Sequence, residues 1–208
     1  MRRLCSAIII IAVFSTFING AKSPLEQKLF KNYDPKHRPV KQDSTTTQVA
    51  VYLSIGHIEK VDEYEQTMLV HGYLWATWTD EYLNWTPAEN NNVTMLQIDS
   101  WQIWQPALAL YNSARGNSWH LYMHGLPSTV FSSGKVWASG SFSFFVTCQF
   151  DFSEWPYDTQ SCPIVIADWV YDLSRVNLSD PSGKPAVRLS YDPLGDANAK
   201  KHEYQKKF

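Results

Sequence analysis

An apolar residue at every second position between residues 142 and 152 constrains the fold more than any other feature of this sequence. The six apolar positions are Phe142, Phe144, Val146, Cys148, Phe150 and Phe152, and most residues between them are polar. Because successive side chains point to opposite faces of a strand, this period of two predicts a half-buried antiparallel strand over residues 142–152.

The same period recurs elsewhere in the chain and sets the predicted fold class. Two further sets of residues each share one face, Val49, Val51, Leu53 and Ile55 in the first and Met68, Val70, Leu74 and Trp78 in the second. Before them, Ser23-Pro24-Leu25-Glu26 is a helix start with proline at the first helical position. With 14% aromatic residues and regularly spaced turn signals, the sequence predicts an all-β, immunoglobulin-like antiparallel β-sandwich with a short N-terminal α-helix.

The first residues are typical of a secretory signal peptide. Arg2 and Arg3 precede an acid-free apolar run over residues 4–18, and small residues follow at 19–21. The run is short of the ~20 residues of a spanning helix, so we expect a signal peptide at residues 1–20 and one domain at 21–208. No later stretch has 18 consecutive apolar residues, and we expect membrane attachment only through segments absent from this chain.

Export to an oxidising compartment changes the interpretation of the cysteines. Cys5 lies in the predicted leader, which leaves Cys148 and Cys162 as a single pair. We expect these two residues to form a disulfide, because two thiolates alone do not complete a zinc site. Three N-x-S/T sequons, at Asn84, Asn92 and Asn177, fit the same compartment as glycosylation sites.

Charge and side-chain chemistry argue against several functions. A net charge of −2 gives no basic field for nucleic acid. The six histidines form no recognised catalytic set, and His120 and His124 would share a face only on a helix. We therefore expect no enzyme activity, no cofactor and no metal.

The segment between the paired cysteines carries a specific signature. Thirteen residues separate Cys148 from Cys162, and Trp155-Pro156 and Asp158 fall in the second half. This closely resembles the signature loop of the Cys-loop receptors, the pentameric ligand-gated ion channels, in which an aromatic residue, proline, any residue and aspartate precede the second cysteine by fixed offsets. The resemblance also implies a cis peptide between Trp155 and Pro156, an isomer found in tight, constrained turns.

The resemblance extends over most of the chain. Trp78-Thr79-Asp80 is similar to the second strand of nicotinic receptors, and the segment Trp104 to Asn112 is similar to their first binding loop, with Ala107 where the family has aspartate. Trp169 lies seven residues beyond Cys162, where the family carries a binding-loop tryptophan. That aspartate generally supports the binding loops, so its absence bears on the geometry of the pocket.

The resemblance implies a set of ligand-binding residues on two faces. The principal face would offer Tyr111 and Trp169, and the complementary face would offer Tyr73 and Trp137 with Ser139. Aromatic faces around a cavity bind quaternary ammonium groups through cation–π attraction. Four other tryptophans are assigned to packing: Trp75, Trp85, Trp101 and Trp104.

The implied function is that of the extracellular ligand-binding domain of a nicotinic-like neurotransmitter-gated ion-channel subunit. Such a domain would bind a small cationic neurotransmitter between homologous subunits of a pentamer, at the extracellular face of the plasma membrane. We expect the chain to be a fragment or truncated form, lacking the third principal-face loop with its adjacent cysteines, the last strand and all transmembrane helices. Two alternatives stay open: a secreted soluble protein like the molluscan acetylcholine-binding proteins, and a secreted carbohydrate-binding β-sandwich.

Overall fold

The computed structural model describes residues 22–116, 121, 123, 125–158, 160 and 162–179. The predicted signal peptide at residues 1–20 lies outside this part of the chain. Within the described residues there are two 3-10 helices (Pro87–Glu89 and Ser100–Gln102), one short α-helix and eight strands. The α-helix and strands are α1 (Pro24–Phe30), β1 (Thr47–Asp62), β2 (Thr67–Asn84), β3 (Met95–Ile98), β4 (Leu108–Leu110), β5 (Ser128–Phe131), β6 (Ser133–Thr147), β7 (Ile166–Asp168) and β8 (Val176–Ser179). The predicted all-β sandwich with a short N-terminal helix is confirmed.

Six of the strands form one large sheet in the order β3-β5-β6-β2-β1-β8, and β4 and β7 form a second, two-stranded sheet. The long pairs β1–β2 and β2–β6 are antiparallel, as predicted. Strand β8 runs parallel to β1, with Thr47 opposite Val176. The sheet therefore carries one parallel pair at this edge.

The core lies between the two sheets and follows the predicted alternation. Met68, Val70, Leu74 and Trp78 of β2 are all buried, as are Val49 and Val51 of β1. The ring of Trp78 packs edge-on against Trp104, with 5.7 Å between the ring centroids. Because each long strand buries one face, the other face of the large sheet stays open to solvent.

Strand β6 ends earlier than the sequence predicts. It stops at Thr147, five residues before the end of the alternating pattern at Phe152. The N–H of Cys148 donates to the Gln66 carbonyl at 2.8 Å and extends the β2–β6 register by one residue. The ladder ends there, because the next N–H on that side, of Phe150, donates to the side-chain oxygen of Gln66 at 2.8 Å and not to a backbone carbonyl.

The N-terminal helix begins at a cap and leads into a buried anchor. The hydroxyl of Ser23 accepts the backbone N–H of Glu26 at 3.1 Å, and Pro24 occupies the first turn, as the sequence indicates. After the helix, the Arg38 side chain is buried and donates to the carbonyl oxygens of Asp43, Thr45 and Arg175. These hydrogen bonds from one guanidinium group join the linker before β1 to the loop before β8.

Within the described ranges, no helix has both the length and the apolar character needed to cross a membrane.

Candidate functional site

Tyr111 and Trp169 stand at the two ends of the small β4–β7 sheet. The backbone N–H of Tyr111 donates to the carbonyl of Val165 at 2.7 Å, and that of Trp169 donates to the carbonyl of Ala107 at 2.9 Å. These bonds continue the antiparallel register of β4 and β7 by one residue at each end. Four positions separate Tyr111 from Ala107, so Tyr111 and Trp169 share one face of the ladder with their Cα atoms about 13 Å apart.

The two aromatic side chains differ in how much of them faces solvent. Trp169 is 58% exposed, and Tyr111 is half-buried. By the register of the ladder, both side chains belong to the same face. The structure therefore brings together the two residues that were predicted for the principal face.

Tyr73, Trp137 and Ser139 lie together on the outer face of the large sheet. The β2–β6 register sets Thr77 opposite Trp137 and Trp75 opposite Ser139. Tyr73 is 58% exposed, Trp137 is exposed and Ser139 is half-buried. These three residues form a surface on β2 and β6, whereas Tyr111 and Trp169 belong to the other sheet.

Trp75 belongs to this surface, although it was assigned to packing. It is 39% exposed, and its ring centroid lies 6.0 Å from that of Tyr73. The signal in the sequence is the period of two, because Trp75 alternates with the buried residues Leu74 and Ala76. Trp101, at 69% exposure, was also wrongly assigned to packing, whereas Trp85 and Trp104 pack against or within the core.

Trp137 already has a cation near its face. The ammonium group of Lys135 lies 5.7 Å from the centroid of the Trp137 ring, and Phe131 contacts the ring edge-on at a centroid distance of 6.1 Å. A ligand cation on this face would meet the charge of Lys135. Trp137 is thus less suited than Tyr73 to bind a cation.

Carboxylates lie on both sides of Trp169. Asp168 precedes it directly, and Asp172 follows three residues later. The side chain of Asp172 accepts hydrogen bonds from the hydroxyl and the backbone N–H of Ser174, and the hydroxyl bond is the main reason why the pKa of Asp172 lies below its usual range. The lowered pKa of Asp172 keeps a negative charge in the loop that follows Trp169.

The disulfide loop has the predicted covalent structure. Cys148 and Cys162 are bonded, and the peptide between Trp155 and Pro156 is cis. The amide of Gln160 donates to the backbone carbonyl of Asp151 at 2.7 Å and also to the carboxylate of Asp158. Asp158 therefore takes part in the internal hydrogen bonding of the loop, while the Trp155 side chain is exposed.

Metal ligation has little support in the part of the chain that the structure describes. No group of three or more His, Cys, Asp or Glu residues in these ranges could hold a metal ion. His57 and His71 stack with their ring centroids 4.7 Å apart, and His71 is hydrogen-bonded to Ser143 at 2.8 Å. His120 and His124 lie outside the described residues.

The three sequon asparagines occupy different settings. Asn84 and Asn92 are exposed, and Asn92 has a left-handed backbone with φ of 55°. Asn177 is half-buried, and its side-chain amide donates to the Gln48 side chain at 2.8 Å. Glycosylation at the three positions stays a prediction.

Comparison with known proteins places this geometry in a family. Residues 22–202 match the family described as the neurotransmitter-gated ion-channel ligand binding domain. The acetylcholine receptor-like protein cup-4 of Caenorhabditis briggsae is 34% identical over 159 residues, which cover 73% of this chain and 36% of that protein. The human neuronal acetylcholine receptor subunit alpha-4 is 33% identical over 192 residues, covering 88% of this chain and 30% of that protein.

A bird relative has similar coverage. The neuronal acetylcholine receptor subunit alpha-2 of Gallus gallus is 31% identical over 195 residues, covering 88% of this chain and 36% of that protein. The chain therefore spans about a third of the length of these curated relatives. With its disulfide loop and β-sandwich, the chain belongs to the neurotransmitter-gated ion-channel ligand-binding domain family.

Proposed function

We propose that this domain binds a small cationic neurotransmitter through the aromatic side chains of Tyr111 and Trp169. The observation that carries the proposal is their position on one face of the β4–β7 ladder, with Trp169 largely exposed. A desolvated cation gains about 0.5–2 kcal/mol from each aromatic face, and tryptophan binds best. The relatives named as acetylcholine receptors make acetylcholine the first ligand to test.

The proposed site is completed by a second subunit. Tyr73, Trp137 and Ser139 lie on the outer face of β2 and β6, on a different sheet from the Tyr111–Trp169 pair. One copy would supply Tyr111 and Trp169, and the neighbouring copy in a pentamer of homologous subunits would supply the other three residues. A head-to-tail ring uses two different surfaces of each subunit in this way.

We further propose that the domain is the extracellular part of a channel subunit. The chain matches about a third of each relative, and that match falls on the ligand-binding domain of the family. An extracellular domain made in the secretory pathway would be glycosylated at its sequons, and we expect modification at Asn84, Asn92 and Asn177.

Isothermal titration of the assembled protein with acetylcholine tests the binding proposal. Trp169→Ala should weaken binding about tenfold or more, which corresponds to the loss of one desolvated cation–π contact. Trp169→Phe should weaken it less, because an aromatic face remains. Trp101→Ala is the matched control, since Trp101 is also largely exposed but lies outside both groups of candidate residues. Equal affinities for Trp169→Ala and Trp101→Ala would refute the proposal.

A further inference from the structure

Asp168 connects the segments that carry the two principal aromatic residues. It is the last residue of β7, directly before Trp169, and only 9% of it is exposed. Its Oδ2 atom accepts the backbone N–H of Ala107 at 3.1 Å. Its Oδ1 atom accepts the backbone N–H groups of Val170 and Tyr171, at 2.9 and 2.8 Å. One carboxylate therefore holds both the turn after Trp169 and the start of the opposite segment.

The backbone completes the connection at the same point. The carbonyl of Ala107 accepts the N–H of Trp169 at 2.9 Å, while the N–H of Ala107 donates to Asp168. The peptide groups on both sides of Ala107 Cα are thus tied to residues 168 and 169. Three backbone N–H groups converge on one buried carboxyl group at 2.8–3.1 Å, which makes this junction well suited to fix a neighbouring side chain.

We propose that Asp168 is a positioning residue for the ligand site, which sets the orientation of Trp169 relative to the Tyr111 segment. The inference rests on the proposed function of Trp169. In the family that the sequence resembles, an aspartate at position 107 supports the binding loops, and this chain has alanine there. Asp168 supplies a carboxylate at the same junction from the opposite strand.

The two oxygens of Asp168 have separate tasks, which makes asparagine an informative replacement. Oδ1 binds the turn formed by Val170 and Tyr171, and Oδ2 binds Ala107. Asparagine has one acceptor oxygen, and its NH₂ group would face a backbone N–H donor that the second oxygen of Asp168 accepts. Asp168→Asn must therefore give up either the local turn or the bond to Ala107, at nearly unchanged side-chain volume.

The matched control lies in the same loop. Asp172 also accepts backbone N–H groups, from Ser174 and Arg175, but its partners do not include Ala107 or Trp169. Asp172→Asn makes the same chemical change three residues past Trp169. A general effect of amide substitution in this loop would appear in both variants.

The test uses the full chain labelled with 5-fluorotryptophan and ¹⁹F NMR, together with acetylcholine titration. The nine tryptophans should give separate signals, and comparison with Trp169→Phe assigns the signal of Trp169. Asp168→Asn should shift the Trp169 signal and weaken acetylcholine binding about tenfold, while Asp172→Asn should leave the Trp169 signal in place. If Asp168→Asn only lowered the free energy of unfolding, the Trp169 signal of the folded protein would keep its position. An unchanged Trp169 signal in folded Asp168→Asn would overturn the proposal.

A relocated carboxylate provides a second route if Asp168→Asn does not fold. The double variant Ala107→Asp/Asp168→Asn returns a carboxylate to the junction from the opposite strand. Folding with a Trp169 signal near that of the wild type supports the proposal, and a double variant that stays unfolded overturns it. The NMR measurement needs no ligand, so absence of acetylcholine binding to the wild type would refute the proposed function while Asp168 is still tested.

Discussion

Tyr33 and Asp80 form a buried hydrogen-bonded pair that should respond sharply to removal of one hydroxyl group. The Tyr33 hydroxyl donates to Oδ2 of Asp80 at 2.6 Å and accepts the backbone N–H of Trp104 at 2.9 Å. Asp80 is 0% exposed, and this burial raises the pKa of its carboxyl group. Burial, and then the charge of Asp80, raise the pKa of Tyr33 far above its usual range, so the hydroxyl stays a donor.

Tyr33→Phe removes this donor and also leaves the Trp104 N–H without its acceptor. A hydrogen bond to a charged group contributes about 1.5–3 kcal/mol, and the unpaired amide adds about 1 kcal/mol, so we expect a loss of about 2–4 kcal/mol. For a domain of this size the melting temperature should fall by about 6–12 °C. Tyr82→Phe is the control, because Tyr82 is exposed and its hydroxyl donates to the Val40 carbonyl at 3.0 Å. That variant should lose less than about 1 kcal/mol.

The pH dependence gives the prediction a sign. The bond from Tyr33 lowers the pKa of Asp80 against the effect of burial, so this pKa should rise further in Tyr33→Phe. A carboxyl group with a raised pKa in the folded state destabilises the fold when ionised, and this cost disappears as the pH falls through that pKa. Thermal unfolding followed by circular dichroism should therefore show a smaller gap between wild type and variant at about pH 5 than at about pH 7.5. A gap that widens on acidification, or equal losses for Tyr33→Phe and Tyr82→Phe, would refute the reasoning.

Three further predictions concern the linker, the disulfide and one glycine. Hydrogen bonds from Arg175, and to a smaller extent from Arg38, lower the pKa of Asp43. The ionised carboxylate stabilises the fold fully above the ordinary pKa of about 3.9, and this stabilisation is lost as the pH falls through the lowered pKa. When the pH is lowered from about 5 to about 2.5, the melting temperature of Asp43→Asn should therefore fall less than that of the wild type. Replacing Cys148 and Cys162 by alanine should reduce the free energy of unfolding in urea by about 3 kcal/mol, as the 15-residue loop predicts, and an unchanged midpoint would contradict this. Gly134→Ala should lower the free energy of unfolding by about 1–3 kcal/mol, because Gly134 has φ of 82° and a Cβ there would lie 2.5 Å from a backbone carbonyl oxygen of β2. Calorimetry measures this loss, and an unchanged melting temperature for Gly134→Ala would contradict it.

The sequence predicts the long strands well because their side chains alternate between a core and solvent. This pattern reports which side chains are buried, and it does not report the partners of the backbone. Phe150 and Phe152 continue the period of two, yet the strand ends at Thr147 and the ladder is not continued at Phe150, because the Phe150 N–H bonds to the Gln66 side chain. The parallel pairing of β8 with β1 was missed for the same reason, since a strand of four residues carries no information about its partner.

Some residues of the candidate site could be predicted from the sequence, and others could not. Tyr111 and Trp169 could be proposed from the resemblance, and the β4–β7 ladder brings them to one face. The role of Asp168 could not be foreseen, because only the pairing of segments about sixty residues apart in sequence brings its carboxylate to Ala107. Trp75 was within reach of the sequence, since its alternation with buried neighbours predicts an exposed side chain.

The most direct test of the central claim is acetylcholine binding to mixed assemblies. Trp169→Ala removes the principal side of the proposed site, and Tyr73→Ala removes the complementary side. Each variant alone should assemble but bind acetylcholine weakly. If the site lies between subunits, coexpression of the two variants regenerates intact sites at about one quarter of the interfaces of a ring. Titration of the purified mixed assembly should therefore recover wild-type affinity at reduced stoichiometry, whereas a mixture with no high-affinity sites would contradict a ligand site formed by two subunits.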